Sequence, residues 1–351
     1  MALPKAMRAV RFHRTGGPDV LQVEDIPLPR PGPGEALLRL KAASLNHLEV
    51  WLREGALSVE LPHVPGSDGV GEVAALGAGA RAGVDTPAVG TRCLISPALS
   101  CGRCDRCAAG SGHLCDAFAV FGTAGPGTYA EYTVVPASNL VPVPDPLPDA
   151  EAACLGVAGL TAWHMVVTRG RVRPGETVLV HSAGSGLGMF AVQIARLAGA
   201  RVLATVGDGA KVERARVLGA DAVIDRSRDA FADGVRALTG GRGADLVVDH
   251  IGAAAFDANL DCLARGGRLV VCGTTTGGDV AFNLRDLFAG QRSILGVRLG
   301  STGELHRVVA LAAAGSLRPL IDTVLPLERA AEAHARMGSR ALFGKVVLEV
   351  P

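Results

Sequence analysis

Six short apolar runs, Thr177–His181, Arg201–Val206, Ala222–Ile224, Asp245–Asp249, Arg268–Cys272 and Ser293–Val297, alternate with stretches of helical spacing in the second half of the chain. Runs without polar alternation belong to strands covered on both faces, as in a parallel sheet with helices on each side. The pattern predicts an α/β fold with a doubly wound parallel sheet, the usual dinucleotide-binding architecture. The first run leads through Ser182-Ala183-Gly184-Ser185-Gly186-Leu187-Gly188 into a helical pattern. Small residues there let the backbone approach a pyrophosphate, and a helix N-terminus offers unpaired N–H groups and a positive dipole end. The alternative is a merely tight turn, but the surrounding strand and helix repeat is the context that gives such a turn meaning.

The end of the next strand selects between dinucleotides, because a carboxylate there accepts from the adenosine ribose and repels a 2′-phosphate. This strand ends Ala204-Thr205-Val206-Gly207, with Asp208 beyond the tip, and Lys211 and Arg226 follow on the next helix and after the next strand. NADP(H) is expected ahead of NAD(H), with Gly207, Lys211 and Arg226 at the cofactor; solvated helix-surface charge is the alternative for both cations.

The first 143 residues read differently, as short β-type runs such as Ala36–Leu40 and Ala130–Val135 between Gly and Pro clusters. The Pro-rich stretch Val141–Pro148 marks a boundary. The expected division is 1–145 as a mostly-β domain, 146–299 as the dinucleotide-binding domain, and 300–351 as a return segment completing the first, with a helix over Glu328–Met337 and a strand over Lys345–Glu349. At 351 residues each domain can bury its own core. With 35 Lys and Arg against 34 Asp and Glu there is no basic excess for phosphate backbones, so no nucleic-acid partner is expected. The apolar stretch Ala152–Val167 contains Thr161 and His164 and falls short of the roughly 18 to 20 apolar residues of a bilayer span, so it reads as a buried helix. The start Met1–Lys5 shows no cationic segment leading into an apolar run, and the cytoplasm is expected.

Cys101, Cys104, Cys107 and Cys115 place four thiols in fifteen residues. Zinc(II) favours a closed tetrahedral thiolate shell in structural sites, and this spacing lets one loop wrap one ion. Such a shell leaves no open position for substrate, so the ion would staple the loop. Surface cysteines, reduced or paired as disulfides, are the alternative. Cys93, Cys154, Cys262 and Cys272 sit in apolar runs and are expected in cores.

Together the cysteine spacing, Gly127-Thr128-Tyr129-Ala130-Glu131-Tyr132, Gly159-Leu160-Thr161-Ala162-Trp163, the glycine turn and Phe343-Gly344-Lys345-Val346-Val347 resemble the medium-chain dehydrogenase/reductase superfamily over nearly the whole chain. The resemblance implies a GroES-like first domain, a Rossmann second domain and a nicotinamide cofactor in the cleft between them. It also implies cofactor contacts at His47, Thr161, Ala183, Gly184, Ser185, Gly186, Leu187, Gly188, Gly273 and Lys345, and dimers or tetramers joined through Ser293–Val297. Zinc alcohol dehydrogenases of this superfamily hold a second, catalytic zinc. At its ligand positions this chain carries Asn46, Ser67 with Asp68, and Val157, and Leu48 replaces the hydroxyl of the proton relay. One carboxylate does not make a three-ligand site. Cys154, three residues before Val157, is disfavoured as a shifted ligand and read as a core residue. Ser44–Trp51 looks like the zinc-independent quinone and enoyl reductases, although Trp51 replaces a Tyr of that branch.

Without a Lewis acid, hydride transfer is easiest to an electron-poor alkene or quinone, whose developing negative charge a hydrogen-bond donor can stabilise. Asn46, Ser67 and Asp68 are the expected catalytic residues, and His63 and His250 are read as structural. An alcohol or aldehyde dehydrogenase and a non-catalytic NADPH-binding protein are the competing readings, since function is settled by site geometry.

Overall fold

The computed structural model describes residues 3–80, 86–339 and 341–351. Met1 and Ala2, part of the start read above for an export signal, lie outside the described residues. Two compact units form: one from the residues up to Ala158 together with Ser301–Pro351, the other from Gly159–Gly300.

The first unit contains β1 (Ala6–Arg11), β2 (Gln22–Pro27), β3 (Glu35–Ser44), β4 (Asp68–Leu76), β5 (Arg92–Ile95), β6 (Ala98–Leu99), β7 (Ala119–Val120), β8 (Tyr132–Pro136) and β9 (Leu140–Pro142). β3 is its spine: it pairs antiparallel with β4, and its other edge is shared between β8 at Glu35–Arg39 and the last strand of the chain at Ala42–Ser44. Apolar residues of β3, with Phe12, Ile95, Tyr129, Val346 and Leu348, form the core of this unit. The helix His47–Glu54 begins at Asn46, which is extended, and the Glu49 carboxylate returns to the Asn46 N–H at 2.6 Å, closing one end of a capping box. Gly55, at φ +85°, ends it in the left-handed conformation.

In the second unit, β10 (Thr177–Val180), β11 (Arg201–Val206), β12 (Ala222–Asp225), β13 (Ala244–Asp249), β14 (Leu263–Val271) and β15 (Ser293–Gly296) make one parallel sheet in the order β12-β11-β10-β13-β14-β15. This is the doubly wound sheet the sequence predicts, with the order reversing between β10 and β13. β14 begins five residues earlier than its apolar run because Gly266 and Gly267 are carried within the strand. The chain then returns to the first unit through the helix Thr302–Ala313, β16 (Ile321–Pro326), the helix Ala330–Met337 and β17 (Lys345–Glu349). β16 runs parallel to β17, and β17 antiparallel to β3.

One element differs from expectation. Ala152–Val167 is not one helix: Asp149–Ala153 is followed by a π-type turn at Leu155–Gly159, a short α segment at Leu160–Trp163 and a second π-type turn at His164–Arg169. Composition alone cannot reveal such a break, because i→i+5 pairing is set by local packing. Among the described residues no helix is long and apolar enough to cross a membrane.

Candidate functional site

The four-cysteine loop hangs from the β6–β7 ladder, where Ala98 faces Val120 and Leu99 faces Ala119. Its sulfurs stand 3.5 Å apart between Cys104 and Cys107, 3.8 Å between Cys104 and Cys115, and 3.9 Å between Cys101 and Cys107, and all four lie within 4.8 Å of one another. A tetrahedron with metal–sulfur bonds of ~2.3 Å has edges of about 3.8 Å, so the donor set fits zinc. The backbone N–H groups of Arg103 and Cys104 lower the Cys101 thiol to about 6, while at Cys104 the lowering by the Cys107 N–H is outweighed by the neighbouring thiols, which raise it to about 11, as expected of close-packed sulfurs.

At the glycine turn, Ser182 adopts φ 49° and Ser185 caps the helix Gly186–Leu197, its Oγ accepting from the Gly188 N–H at 2.9 Å. A Cβ on Gly188 would meet the Ser182 carbonyl oxygen at 2.2 Å, so only glycine lets the helix start this close to β10. Ala183 is fully buried and donates to Thr205 O at 2.9 Å, which fixes the turn to the end of β11. A Cβ on Gly207 would meet nothing within 4 Å, leaving the tip of β11 open. Asp208 is turned onto the Ala210 N–H at 2.9 Å, and the Arg226 guanidinium reaches Ser182 Oγ at 3.3 Å. Gly273 follows β14 and lies against His250, which itself contacts Ser185 Oγ at 3.3 Å. The turn, its helix N-terminus and these residues fit the pyrophosphate of a dinucleotide. Thr161 is buried, and Lys211 sits in the turn after Asp208.

A second polar group is buried in the first unit. Asp68, at the start of β4, is completely inaccessible, and its carboxylate accepts from four donors: the Val157 N–H (2.6 Å), Asn46 Nδ2 (3.0 Å), Ser44 Oγ (3.1 Å) and Lys345 Nζ (3.4 Å). Lys345, at the start of β17, also donates to Leu45 O and Asn46 Oδ1, each at 2.6 Å. Glu49, equally inaccessible, accepts from the Asn46 N–H and from the Ser67 N–H at 3.0 Å. Burial, followed by the neighbouring Asp68 charge, pushes its carboxyl up to about 7. Ser67 Oγ and Tyr129 Oη are buried without a hydrogen-bond partner.

Asn46 and Asp68 are thus brought together around one buried ammonium, with the Val157 N–H on the Asp68 carboxylate and the Ser67 N–H on Glu49. Lys345, which the resemblance places at the cofactor, donates within this cluster to Leu45, Asn46 and Asp68. The positions of the superfamily's catalytic zinc ligands do not fit a second zinc here: they offer one carboxylate, already paired with a cation 3.4 Å away. His47 is exposed at the helix start and packs edge-on against Trp51. His63 holds Gly122 O at 2.9 Å. Cys154 is buried beside the cluster, with its thiol on Ala150 O at 3.2 Å; Cys93 and Cys262 are buried, while Cys272, expected in a core, is only half-buried at the end of β14. Sequence reasoning missed Glu49, Ser44 and Tyr129; the Asn46-x-x-Glu49 capping pattern was the one signal that could have found Glu49.

The chain matches the alcohol dehydrogenase GroES-like domain over residues 32–145 and the zinc-binding dehydrogenase family over residues 186–314. It is 32% identical to the quinone oxidoreductase of Pongo abelii, over 98% of both chains. Among solved structures, an NAD-dependent alcohol dehydrogenase is 47% identical over 98% of this chain and 100% of its own, with a TM-score of 0.93. A crotonyl-CoA carboxylase/reductase is 26% identical over 99% of this chain and 89% of its own, with a TM-score of 0.92. The parallel sheet with its glycine turn, the GroES-like β unit and these full-length likenesses agree that the chain belongs to the medium-chain dehydrogenase/reductase superfamily of nicotinamide-dependent oxidoreductases, within its zinc-binding dehydrogenases.

Proposed function

We propose that this protein reduces an activated C=C bond, in an enone, enal or enoyl thioester, or a quinone, by direct hydride transfer without catalytic zinc. The observation that carries the reading is the Lys345 ammonium, 2.6 Å from Asn46 Oδ1 and 3.4 Å from Asp68 Oδ2 among the residues at the catalytic-zinc positions. The positive charge that balances Asp68 is already built into the chain. A bound nicotinamide supplies the hydride. The chain's part is to hold the cofactor at the glycine turn and to offer the Asn46 amide to the substrate oxygen, where negative charge develops. Residues 1–145 with 300–351 are assigned to substrate and structural zinc and 146–299 to cofactor, with the stretch up to Ala158 packed in the first unit.

NADPH is the proposed donor. Asp208 is engaged by Ala210, and Arg226 stands beside Ser182, which supports binding of a 2′-phosphate. A homodimer or homotetramer is proposed through the β15 edge, near which Leu284 and Phe288 are 66% and 68% exposed. Four thiolate ligands suit the reducing cytoplasm.

The likeness to the NAD-dependent alcohol dehydrogenase favours a second reading, oxidation of an alcohol with NAD. Zinc per chain, and oxidation of NADPH and NADH with enones, enoyl thioesters, quinones and aldehydes before and after chelation, separate the two. One zinc and chelator-insensitive reduction of an enone, enoyl thioester or quinone are expected. Two zincs with chelator-sensitive alcohol or aldehyde turnover would establish the second reading instead.

A further inference from the structure

We infer that Lys345 and Asp68 are positioning residues that lock the Asn46 carboxamide in one orientation, leaving its second Nδ2 proton as the donor to the substrate oxygen; this rests on the reduction proposed above.

An ammonium carries three protons, and those of Lys345 meet three acceptors, Leu45 O, Asn46 Oδ1 and Asp68 Oδ2. None remains for a substrate. Ser44 has one hydroxyl proton, directed between Asp68 Oδ2 at 3.1 Å and Ala153 O at 3.0 Å. The Asp68 carboxylate is surrounded by its four donors and faces no reactant. Asn46 differs: its Oδ1 takes the Lys345 proton and one Nδ2 proton goes to Asp68, while the second has no acceptor among the described residues. Asn46 is also the most accessible member of this group, at 9% exposure against 0% for Asp68 and Ser44 and 2% for Lys345.

The amide orientation follows from charge. Turned by 180°, the amide would set its NH₂ against an ammonium and its oxygen against a carboxylate, two repulsions inside a group with no solvent to screen them. A donor held this way needs no reorganisation when charge develops on the substrate, which is the condition for strong electrostatic stabilisation. The lock joins three separate stretches of chain, the start of the helix at Asn46, the start of β4 at Asp68 and the start of β17 at Lys345, so its geometry is a property of the folded unit.

The test is a double-mutant cycle on kcat for enone reduction, with cofactor Kd measured in parallel. Asn46→Ala is expected to lower kcat by about 100-fold, the order seen when one such donor is removed. Lys345→Met is expected to lower kcat by about 10-fold or more with cofactor Kd unchanged, and to cost nothing further in the Asn46→Ala background. Additive losses, or an Asn46→Ala enzyme with full kcat, would overturn the inference and leave the reductase reading standing. If Lys345→Met does not fold because Asp68 is left unpaired, Lys345→Met with Asp68→Asn removes both charges and takes its place in the cycle. If the wild-type protein reduces no enone, enoyl thioester or quinone, the reductase reading falls, and the lock is decided by the Asn46 side-chain resonances of asparagine-¹⁵N-labelled holoprotein. Nδ2 protons shifted from the positions of a free asparagine amide and slow to exchange with solvent, moving to the free positions and exchanging faster in the Lys345→Met, Asp68→Asn variant, support it; the same shifts and exchange in both refute it.

Discussion

Glu49 shows how a single residue ties the local fold to pH. Its carboxyl is raised from 4.5 to about 7 by burial and by Asp68, so the folded state binds its proton more tightly than the unfolded chain does. The stability this contributes is fully present below about pH 4.5 and is lost as pH rises toward 7, because the unfolded chain ionises first. Glu49→Gln removes that dependence. The stability advantage of wild type over the variant should shrink by on the order of 2 kcal/mol between pH 5 and pH 8 in paired urea unfolding curves. Parallel pH dependences in the two proteins would contradict the assignment. Tyr129 offers a contrasting case: its ring is buried against His334 at 5.8 Å, but its hydroxyl has no partner. Tyr129→Phe removes an unsatisfied polar atom while keeping the packing, so thermal unfolding should show a change within about 1 kcal/mol or a gain. A loss of several kcal/mol would mean that the hydroxyl is bonded.

Two elements are proposed to hold the cofactor and the metal, and each depends on a close approach. In the strand–turn–helix of the second unit, Gly188→Ala drives a methyl into the Ser182 carbonyl, which forces the Gly186–Leu197 helix away from β10. A loss of about 2 kcal/mol in stability and a tenfold or greater rise in cofactor Kd are expected from calorimetry and fluorescence titration. An unchanged Kd would show that the helix start is not where the cofactor is held. In the loop between β6 and β7, the four sulfurs already have tetrahedral spacing. Cys104→Ser should abolish stoichiometric zinc by elemental analysis and lower the Tm, while enone reduction at low temperature persists, because a closed thiolate shell has no place for substrate. Loss of kcat with an unchanged Tm would point instead to a chemical role for the loop.

At the scale of the whole molecule, the proposed assembly is the accessible test. Phe288 is 68% exposed near the edge strand β15, and Phe288→Glu would bring a charge into an interface formed there. Light scattering should report a dimer or tetramer for wild type and a smaller species for the variant. Identical masses would move the interface elsewhere. The second unit was legible almost strand by strand, since strands buried on both faces leave contiguous apolar runs and the glycine turn sits where the repeat requires it. The clustering of the four cysteines was legible too, because they are close in sequence. The interrupted helical region was not, and neither was the pairing of Lys345, whose partners Asn46 and Asp68 lie 299 and 277 positions away. What the sequence by itself determined are features written in local periodicity and spacing, namely the parallel sheet, its turn and the four-thiol loop. What only the tertiary structure decided is the polar cluster, because antiparallel pairing of β3 with both β4 and β17 brings Ser44, Asp68 and Lys345 into one buried volume, and in such a volume each charge and amide must find its partner across the fold.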